Sequence, residues 1–391
     1  MKKEEIFKEY EEHILPTYRK IPLVFVKGKG SRLWDLHNKV FLDFFPGWGV
    51  NNLGHCHPKV MSAVRDQSAR LIFVPNSFYN LCQAQLAREL SFYTFPASYF
   101  FCNSGAEANE AAIKFVRQFG AGRHEIITFE NAFHGRTMGA LAATGQEKYQ
   151  RGFGPMLAGF KSVPFNDIGA VENAVGPNTA AVMLELIQGE GGINVANKEF
   201  VVSLREICDR RKLLLIVDEV QTGIGRTGKM FCYQNYGVVP DILTLAKALG
   251  GGFPIGLMAV KKELSGVLGP GMHASTFGGG PVICKAALAV LRAVRREKLL
   301  ENAVSMGEYL KARLTVLKDK YPVIKEVRGM GLMLGIELSV PGDAVVASCR
   351  ENGLLINCTH ENVLRVMPAL NVTRGQVGKA AGILARALAR L

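Results

Sequence analysis

Between about residue 50 and residue 280, five short apolar runs alternate with helical patterns: "ASYFFCNSG", "HEIITFENAFHG", "AAVMLELIQGEGG", "LLLIVDEVQTG" and "DILTLAKALGGG". Each reads as a strand, none shows an alternating polar face, and each is followed by glycine or polar residues. A half-solvated antiparallel strand would alternate. Strands that do not alternate belong to a mostly parallel sheet covered by helices on both faces. In such sheets the ligand site lies beyond the carboxyl ends of the strands. The residues to interrogate therefore follow the runs: Ser104, Asn131, Glu190, Asp218 and Lys247.

The flanks read differently. Residues 1 to about 20 suggest a charged helix ending near Pro16, and "PLVFVKGKGSRLWDLHNKVFLDF" suggests two or three strands joined by Gly and Asn turns. After residue 282 the pattern shifts to long helices, then a strand pair ("VRGMGLMLGIEL") and a short α/β tail. The expected organisation is an N-terminal segment 1–48 packing with the small domain, a large domain 49–282, and a smaller α+β domain 283–391. Neither an internal repeat nor a low-complexity segment is present.

With 48% hydrophobic and 21% charged residues, the chain can fold around a large core and is not of disordered composition. The net charge of +13 raises the question of anionic partners. The positive charges are scattered, however, and the one acid-free stretch, "TRGQVGKAAGILARALARL" from Thr373, reads as an amphipathic helix with a solvated face rather than a nucleic-acid patch. No CxxC occurs among the eight cysteines. In "GHCHPK", His55 and His57 flank Cys56; a turn before a helix is preferred over a metal site because no second ligand cluster accompanies it. No signal peptide and no run of transmembrane length is read, so a cytosolic protein with reduced thiols is expected.

Lys247 stands inside an apolar run with glycines and a proline after it. A buried ammonium is costly, so either its stem snorkels to water or it sheds its charge and serves as a nucleophile. Asp218 and Glu219 end another apolar run, where a charge needs a cationic partner or else neutralises. For Glu219 an ordinary ion pair is expected; for Asp218 a functional role is preferred, because Lys247 holds a comparable position on the next element. "FFCNSGAEANEAAIKFVRQF" reads as strand, Ser-Gly turn and helix, with Glu110 and Lys114 as an i,i+4 pair and a helix start suited to a phosphate. "GIGRTGKM" matches G-x-x-x-x-G-K, but Met230 stands where a nucleotide-binding loop needs Ser or Thr.

A lysine, a carboxylate, a phosphate cradle and an aromatic face are the parts needed to hold a phosphorylated pyridine aldehyde. Over nearly its whole length the chain resembles the class III aminotransferases of the fold-type I pyridoxal-phosphate enzymes, and within them the acetylornithine aminotransferase group. The resemblance rests on "NNLGHCHPKV", "FCNSGAEANEAAIKFVR", "AFHGRT", "IQGEGG", "IVDEVQTGIGRTGK", "LAKALGGGFPIG", "STFGGG" and "VRGMGLMLGIEL", in that order. It implies pyridoxal 5'-phosphate bonded to Lys247, Asp218 on the ring nitrogen, Phe133 on the ring face and Gln221 at the ring hydroxyl. Gly105 and Ala106, with Ser104 nearby, would hold the phosphate. Thr276 would reach the phosphate of the neighbouring subunit's cofactor, which makes the enzyme a homodimer. Arg136 would clamp the substrate α-carboxylate, Ser275 and Tyr18 would face the substrate, and Glu190 would pair with Arg365 until the acceptor arrives. A surface salt bridge is the alternative for Arg365.

Two positions depart from the family pattern. Gly280 replaces the usual asparagine near the dimer contact. Trp48 stands where acetylornithine types carry a small aliphatic residue and ornithine types a tyrosine, and its indole is expected to reshape the donor pocket. The resemblance implies ping-pong transfer of the ω-amino group of N2-acetylornithine to 2-oxoglutarate, as in arginine biosynthesis. Ornithine, succinylornithine and 4-aminobutyrate are alternative donors. A non-catalytic nucleic-acid-binding or scaffold protein is the reading from another class. No membrane association and no metal are expected.

Overall fold

The computed structural model describes residues 2–391. All five apolar runs are strands of one seven-stranded sheet, ordered Ala97–Cys102, Gly256–Lys261, Ile242–Leu245, Leu214–Asp218, Thr179–Leu184, Glu125–Phe129, Phe160–Val163. Its neighbours run parallel except around Gly256–Lys261, which is antiparallel to both its partners. Every residue of Thr179–Leu184 and Leu214–Asp218 is buried, which is why neither run alternates. Leu214 and Ile216 pack against Ala112, Ile113 and Val116 of helix Gly105–Phe119. Leu215 and Val217 join the other core with Phe200, Leu204 and Cys208 of helix Lys198–Arg211. Each such aliphatic side chain contributes about 1.5–3 kcal/mol by leaving water.

Two strands were not legible as separate runs. Phe160–Val163 is a half-exposed edge strand, and Gly256–Lys261 follows directly on a glycine-rich stretch. Towards the N-terminus, helix Lys3–His13 buries no residue and ends before Pro16. Strands Phe25–Lys29, Arg32–Asp35 and Val40–Asp43 form a meander whose last member pairs in parallel with Leu354–Leu355, so the first and last parts of the chain share a sheet. Beyond helices Pro281–Arg296 and Leu299–Lys320 comes an antiparallel sheet ordered Ile324–Met330, Met333–Leu338, Val363–Val366, Asn357–Thr359. The acid-free end forms helix Arg374–Leu388, capped by Thr373; it buries its apolar face and exposes Arg374, Lys379 and Arg386.

Local expectations are corrected where backbone groups compete with side chains. Glu110 does not pair with Lys114: its carboxylate accepts from Thr137 Oγ1 (2.6 Å) and from the Gly139 and Ala140 amides, while Lys114 Nζ lies 3.0 Å from the Met272 carbonyl. Amides at the start of helix Met138–Ala143 hold an anion better than an exposed lysine does. Glu219 is not in an ion pair either. It accepts from the Cys232 and Tyr233 amides at 2.6 and 2.7 Å, at the start of the short helix Cys232–Asn235. The "GIGRTGK" loop is a series of turns with no α-helix after it, so it lacks the phosphate cradle of a nucleotide-binding loop. Its Arg226 is fully buried and donates to the Leu332 and Pro368 carbonyls and to the Asn52 side chain. A β-carbon on Gly225 or Gly228 would meet Leu370 or Val304 at 2.8 or 2.6 Å, so the glycines let these elements close on the loop.

"GHCHPK" is a turn leading into helix Pro58–Ser68; His55 Nε2 lies 2.7 Å from Asp43 Oδ2, and His57 Nε2 lies 3.3 Å from Glu297 Oε2. Among the described residues no group of three or more His, Cys, Asp or Glu is placed to hold a metal, and no helix is long and apolar enough to cross a membrane.

Burial pushes the Glu219 carboxyl up from its ordinary 4.5 to about 8, against the two amides that oppose the shift. A carboxyl that binds its proton more tightly when folded stabilises the fold fully below pH ~4.5, and that contribution is lost as the pH rises towards 8. Thermal midpoints should therefore fall between pH 5 and 8.5, and in Glu219→Gln the fall should be smaller by about 2 °C or more.

Candidate active site

A cavity of about 630 Å³ opens at the carboxyl ends of the parallel strands. Five strand ends supply it: Ser104 follows Ala97–Cys102, Phe133 follows Glu125–Phe129, Glu185 follows Thr179–Leu184, Asp218 ends its own strand, and Lys247 follows Ile242–Leu245. Gly105, Ala106, Arg136, Glu190, Gln221 and Tyr18 complete the wall among the expected residues.

Asp218 is 4% exposed and fixed from three sides. Oδ1 accepts from the Val220 amide at 2.9 Å; Oδ2 accepts from Asn109 Nδ2 and meets His134 Nδ1, both at 2.8 Å. Asn109 is itself set by Thr244, whose hydroxyl donates to its Oδ1 at 2.7 Å, and it donates to the His134 carbonyl. Burial opposes charge on His134, but Asp218 outweighs it and holds the imidazole above its ordinary pKa. An aspartate in this frame presents a carboxyl group of fixed position to the cavity.

Lys247 takes φ +42°, a left-handed conformation uncommon for a residue with a side chain, at the start of the turn Lys247–Gly250. Burial lowers its pKa against the pull of Glu190, Asp218 and Glu185, so the neutral amine becomes accessible. Lys247 lines the cavity together with Asp218, Glu185 and Glu190.

Glu190 Oε1 and Oε2 lie 2.6 and 3.2 Å from Arg365 Nη1 and Nη2. Arg365 is 1% exposed, so this is no surface bridge. Burial would raise the Glu190 carboxyl, yet Arg365 brings it below its ordinary value. Gln221 Nε2 donates to the Trp48 carbonyl at 3.2 Å, while its buried Oε1 has no hydrogen-bond partner. A β-carbon at residue 189 would sit 1.7 Å from that oxygen, so only Gly189 leaves room for it.

At the start of helix Gly105–Phe119 the Ser104 hydroxyl accepts from the Glu107 amide, leaving the Gly105 and Ala106 amides to face an anion. Phe133 lines the cavity with its ring edge-on to Tyr149 at 5.6 Å, and the Arg136 guanidinium lies 4.1 Å from the Tyr149 ring centroid. That guanidinium is exposed and has no carboxylate within 4 Å among the described residues. The partnerless Gln221 oxygen, the free helix-start amides and the fixed carboxyl of Asp218 fit a phosphorylated pyridine aldehyde in their hydrogen-bonding chemistry.

Three expected residues lie elsewhere. Trp48 does not line the cavity: its indole is half-exposed, 5.5 Å from the Phe45 ring, and only its carbonyl reaches the site through Gln221. The expected reshaping by the indole is therefore not seen within this chain. Ser275 and Thr276 also lie outside it; Ser275 Oγ accepts from Asn103 Nδ2 at 3.1 Å, and Thr276 is exposed.

Sequence reasoning overlooked Asn109, His134 and Glu185. Glu185 ends the "AAVMLE" run just as Asp218 ends "LLIVD", and that signal could have found it. Its carboxylate accepts from the Phe133 and Gly189 amides at 2.8 and 3.2 Å, and burial pushes it up to about 7. His134 adjoins Phe133, and Asn109 lies one turn into the helix from Gly105, but neither position signals contact with Asp218 on its own.

Residues 14–388 match the family model described as aminotransferase class-III. The chain is 51% identical to an acetylornithine aminotransferase of Caldanaerobacter subterraneus subsp. tengcongensis, over 96% of both chains, and 48% identical to one of Methanocaldococcus jannaschii, over 94% of both. Among solved structures, the ornithine aminotransferase of Toxoplasma gondii ME49 superposes with a TM-score of 0.95 at 33% identity, covering 100% of this chain and 96% of that one. The acetylornithine aminotransferase of Elizabethkingia anophelis gives 0.89 at 32% over the whole of both. With the strand-end cavity, its lysine and its framed aspartate, these likenesses have one reading: the chain belongs to the class III aminotransferases.

Proposed function

We propose that this aminotransferase moves the ω-amino group of N2-acetylornithine to 2-oxoglutarate by a ping-pong mechanism with pyridoxal 5'-phosphate, a reversible exchange that belongs to arginine biosynthesis. The observation that carries the chemistry is the presence of Lys247 and Asp218 at neighbouring strand ends in one cavity. The bound cofactor supplies an aldehyde carbon that can carry the amino group and an electron-withdrawing ring that stabilises the charge developed beside it. Lys247, pushed towards its neutral amine, would bond to the cofactor's aldehyde carbon with loss of water and, once displaced by the substrate's amine, would carry the proton between substrate carbon and cofactor carbon. Asp218 would keep the ring nitrogen protonated. Gln221 Oε1 would accept from the ring hydroxyl, Phe133 would cover the ring, and Gly105 and Ala106 would donate to the phosphate. Arg136, free of carboxylates, suits the substrate α-carboxylate, with Tyr18 beside it.

Donor choice rests on the relatives and on one feature of the cavity. Free ornithine carries a charged α-amine, and a cavity carboxylate besides Glu190 would favour it. Glu185 is that second carboxylate, but two backbone amides already occupy it and burial raises its pKa. It therefore offers an amine little charge, and the acyl-substituted donor is favoured. The ornithine reading keeps support from the structural likeness to ornithine aminotransferases.

Ser275 and Thr276 would serve the cavity of a second copy, which makes the working form a homodimer. The exposed Leu71, Ile72, Phe73 and Phe277 support such a contact. All eight cysteines are free, which fits the cytoplasm. A nucleic-acid scaffold would have no use for a buried lysine and aspartate in a shared cavity.

Lys247→Ala should keep its fold, measured as a thermal midpoint, and lose turnover by about a thousandfold or more; a fully active variant would sink the assignment. Arg136→Lys should raise KM by roughly tenfold for donor and acceptor alike; an effect on one alone would rule out a shared clamp. Donors added singly to the cofactor-loaded protein, with no keto acid, should shift its visible absorption band at the lowest concentration with N2-acetylornithine. A shift with ornithine or 4-aminobutyrate and none with N2-acetylornithine would overturn the donor assignment and leave the mechanism intact.

A further inference from the structure

The segment Gly189–Gly192 carries Glu190 past the C-terminal sheet, and each of its four carbonyls accepts a side-chain hydrogen bond. Gly189 O accepts from Arg365 Nη1 at 2.9 Å, and Glu190 O from Thr359 Oγ1 at 2.7 Å. Gly191 O accepts from Asn194 Nδ2 at 3.0 Å, and Gly192 O from Arg328 Nε and Nη2 at 3.1 and 2.8 Å. At its front the Gly189 amide donates to Glu185. Space is closed as well, since a β-carbon at residue 191 would lie 2.5 Å from the Asn131 carbonyl. Three of the four carbonyls are held from the sheet that carries Arg365.

Arg365 does not depend on Glu190 for its position. Its Nε donates to Asn357 Oδ1 at 2.8 Å, its Nη1 to Gly189 O, and its guanidinium lies 4.8 Å from the Phe45 ring centroid. If the Glu190 carboxylate leaves, both the arginine and the backbone beneath the glutamate keep their partners.

We propose that Gly189–Gly192 is a fixed rail on which the Glu190 carboxylate is the single moving part, and that Thr359 is the positioning residue that keeps this motion confined to a side chain. What the motion admits, the acceptor carboxylate on Arg365, rests on the functional reading above. On a loose backbone, Glu190 could shift towards the anchored Arg365 and stay paired to it as its side chain turns, masking the arginine from the acceptor. With the donor bound the pair is closed in either case. Loss of the Thr359 hydroxyl therefore weakens the acceptor half-reaction and spares the donor half.

The test compares Thr359→Val, which keeps the shape and loses the donor, with Thr359→Ser, which keeps the hydroxyl. Amide hydrogen exchange of the peptide spanning 186–196 is read by mass spectrometry, and the two half-reactions are followed separately by absorbance. Thr359→Val should exchange about tenfold faster in that peptide and need roughly five- to tenfold more 2-oxoglutarate for its half-reaction. Its donor half-reaction should stay within about twofold, and Thr359→Ser should restore all three values. Unchanged exchange overturns the rail, and so does faster exchange with both half-reactions unaffected or equally impaired. If the wild-type protein reacts with no ω-amino donor, the functional reading falls, and exchange alone decides whether Thr359 pins the rail.

Discussion

A carboxylate at the buried end of a parallel strand has to be compensated, and the way Asp218 is compensated organises the site around it. Two of its partners come from other elements: Asn109 from the helix that starts at Gly105, and His134 from the loop that carries Phe133 and Arg136. The hydrogen bonds that hold Asp218 thus also fix where the helix-start amides and the aromatic wall stand. Asn109 extends the frame to Thr244, three residues before Lys247 and the turn that presents it. Asp218, the helix that starts at Gly105, the loop that carries Phe133 and the strand that leads to Lys247 are tied by one continuous network of buried hydrogen bonds. Such networks are strong when fully satisfied and costly when one member is lost.

The lysine's state follows from how its neighbours are already engaged. Glu190, Asp218 and Glu185 all pull Lys247 towards its charged form, against its burial. Desolvation nevertheless prevails, and the pKa falls. The carboxylates are committed elsewhere: Asp218 to Asn109 and His134, Glu190 to Arg365, and Glu185 to two amides while burial raises it towards neutrality. Carboxylates with partners of their own leave the lysine to respond to its burial.

Much of this was legible in the sequence because parallel strands covered on both faces leave a distinctive trace. The five apolar runs are strands, and of the residues singled out after them Ser104, Glu190, Asp218 and Lys247 reach one cavity, whereas Asn131 does not line it and meets Gln146 and His360 instead. What was not legible depends on three-dimensional competition. No spacing rule shows that Glu110 prefers helix-start amides to Lys114, or that Glu219 is held by backbone and not by a cation. Gly256–Lys261 merged with its glycine-rich approach, and Phe160–Val163 lacks the apolar density of an interior strand. The bulk of Trp48 suggested a pocket wall; its left-handed backbone, φ +57°, accompanies an indole turned towards Phe45 and away from the cavity.

The two fully buried arginines show how a fold separates a structural cation from a receptive one. Arg226 donates only to neutral acceptors, and burial lowers its pKa to about 9. Those acceptors belong to three separate stretches of chain, so the guanidinium ties the turn after Leu214–Asp218 to both flanks of the C-terminal sheet. An incoming carboxylate would have to displace backbone carbonyls from it, and each displaced carbonyl would be left buried without a donor. Arg365 is anchored by Asn357, Gly189 and the face of Phe45, and the fork that remains is closed by a single side chain, Glu190. There an incoming carboxylate replaces one of its own kind, with no backbone group stranded and no change in local charge. Burial alone marks both arginines as important. The chemistry of their partners decides that only Arg365 can exchange one carboxylate for another.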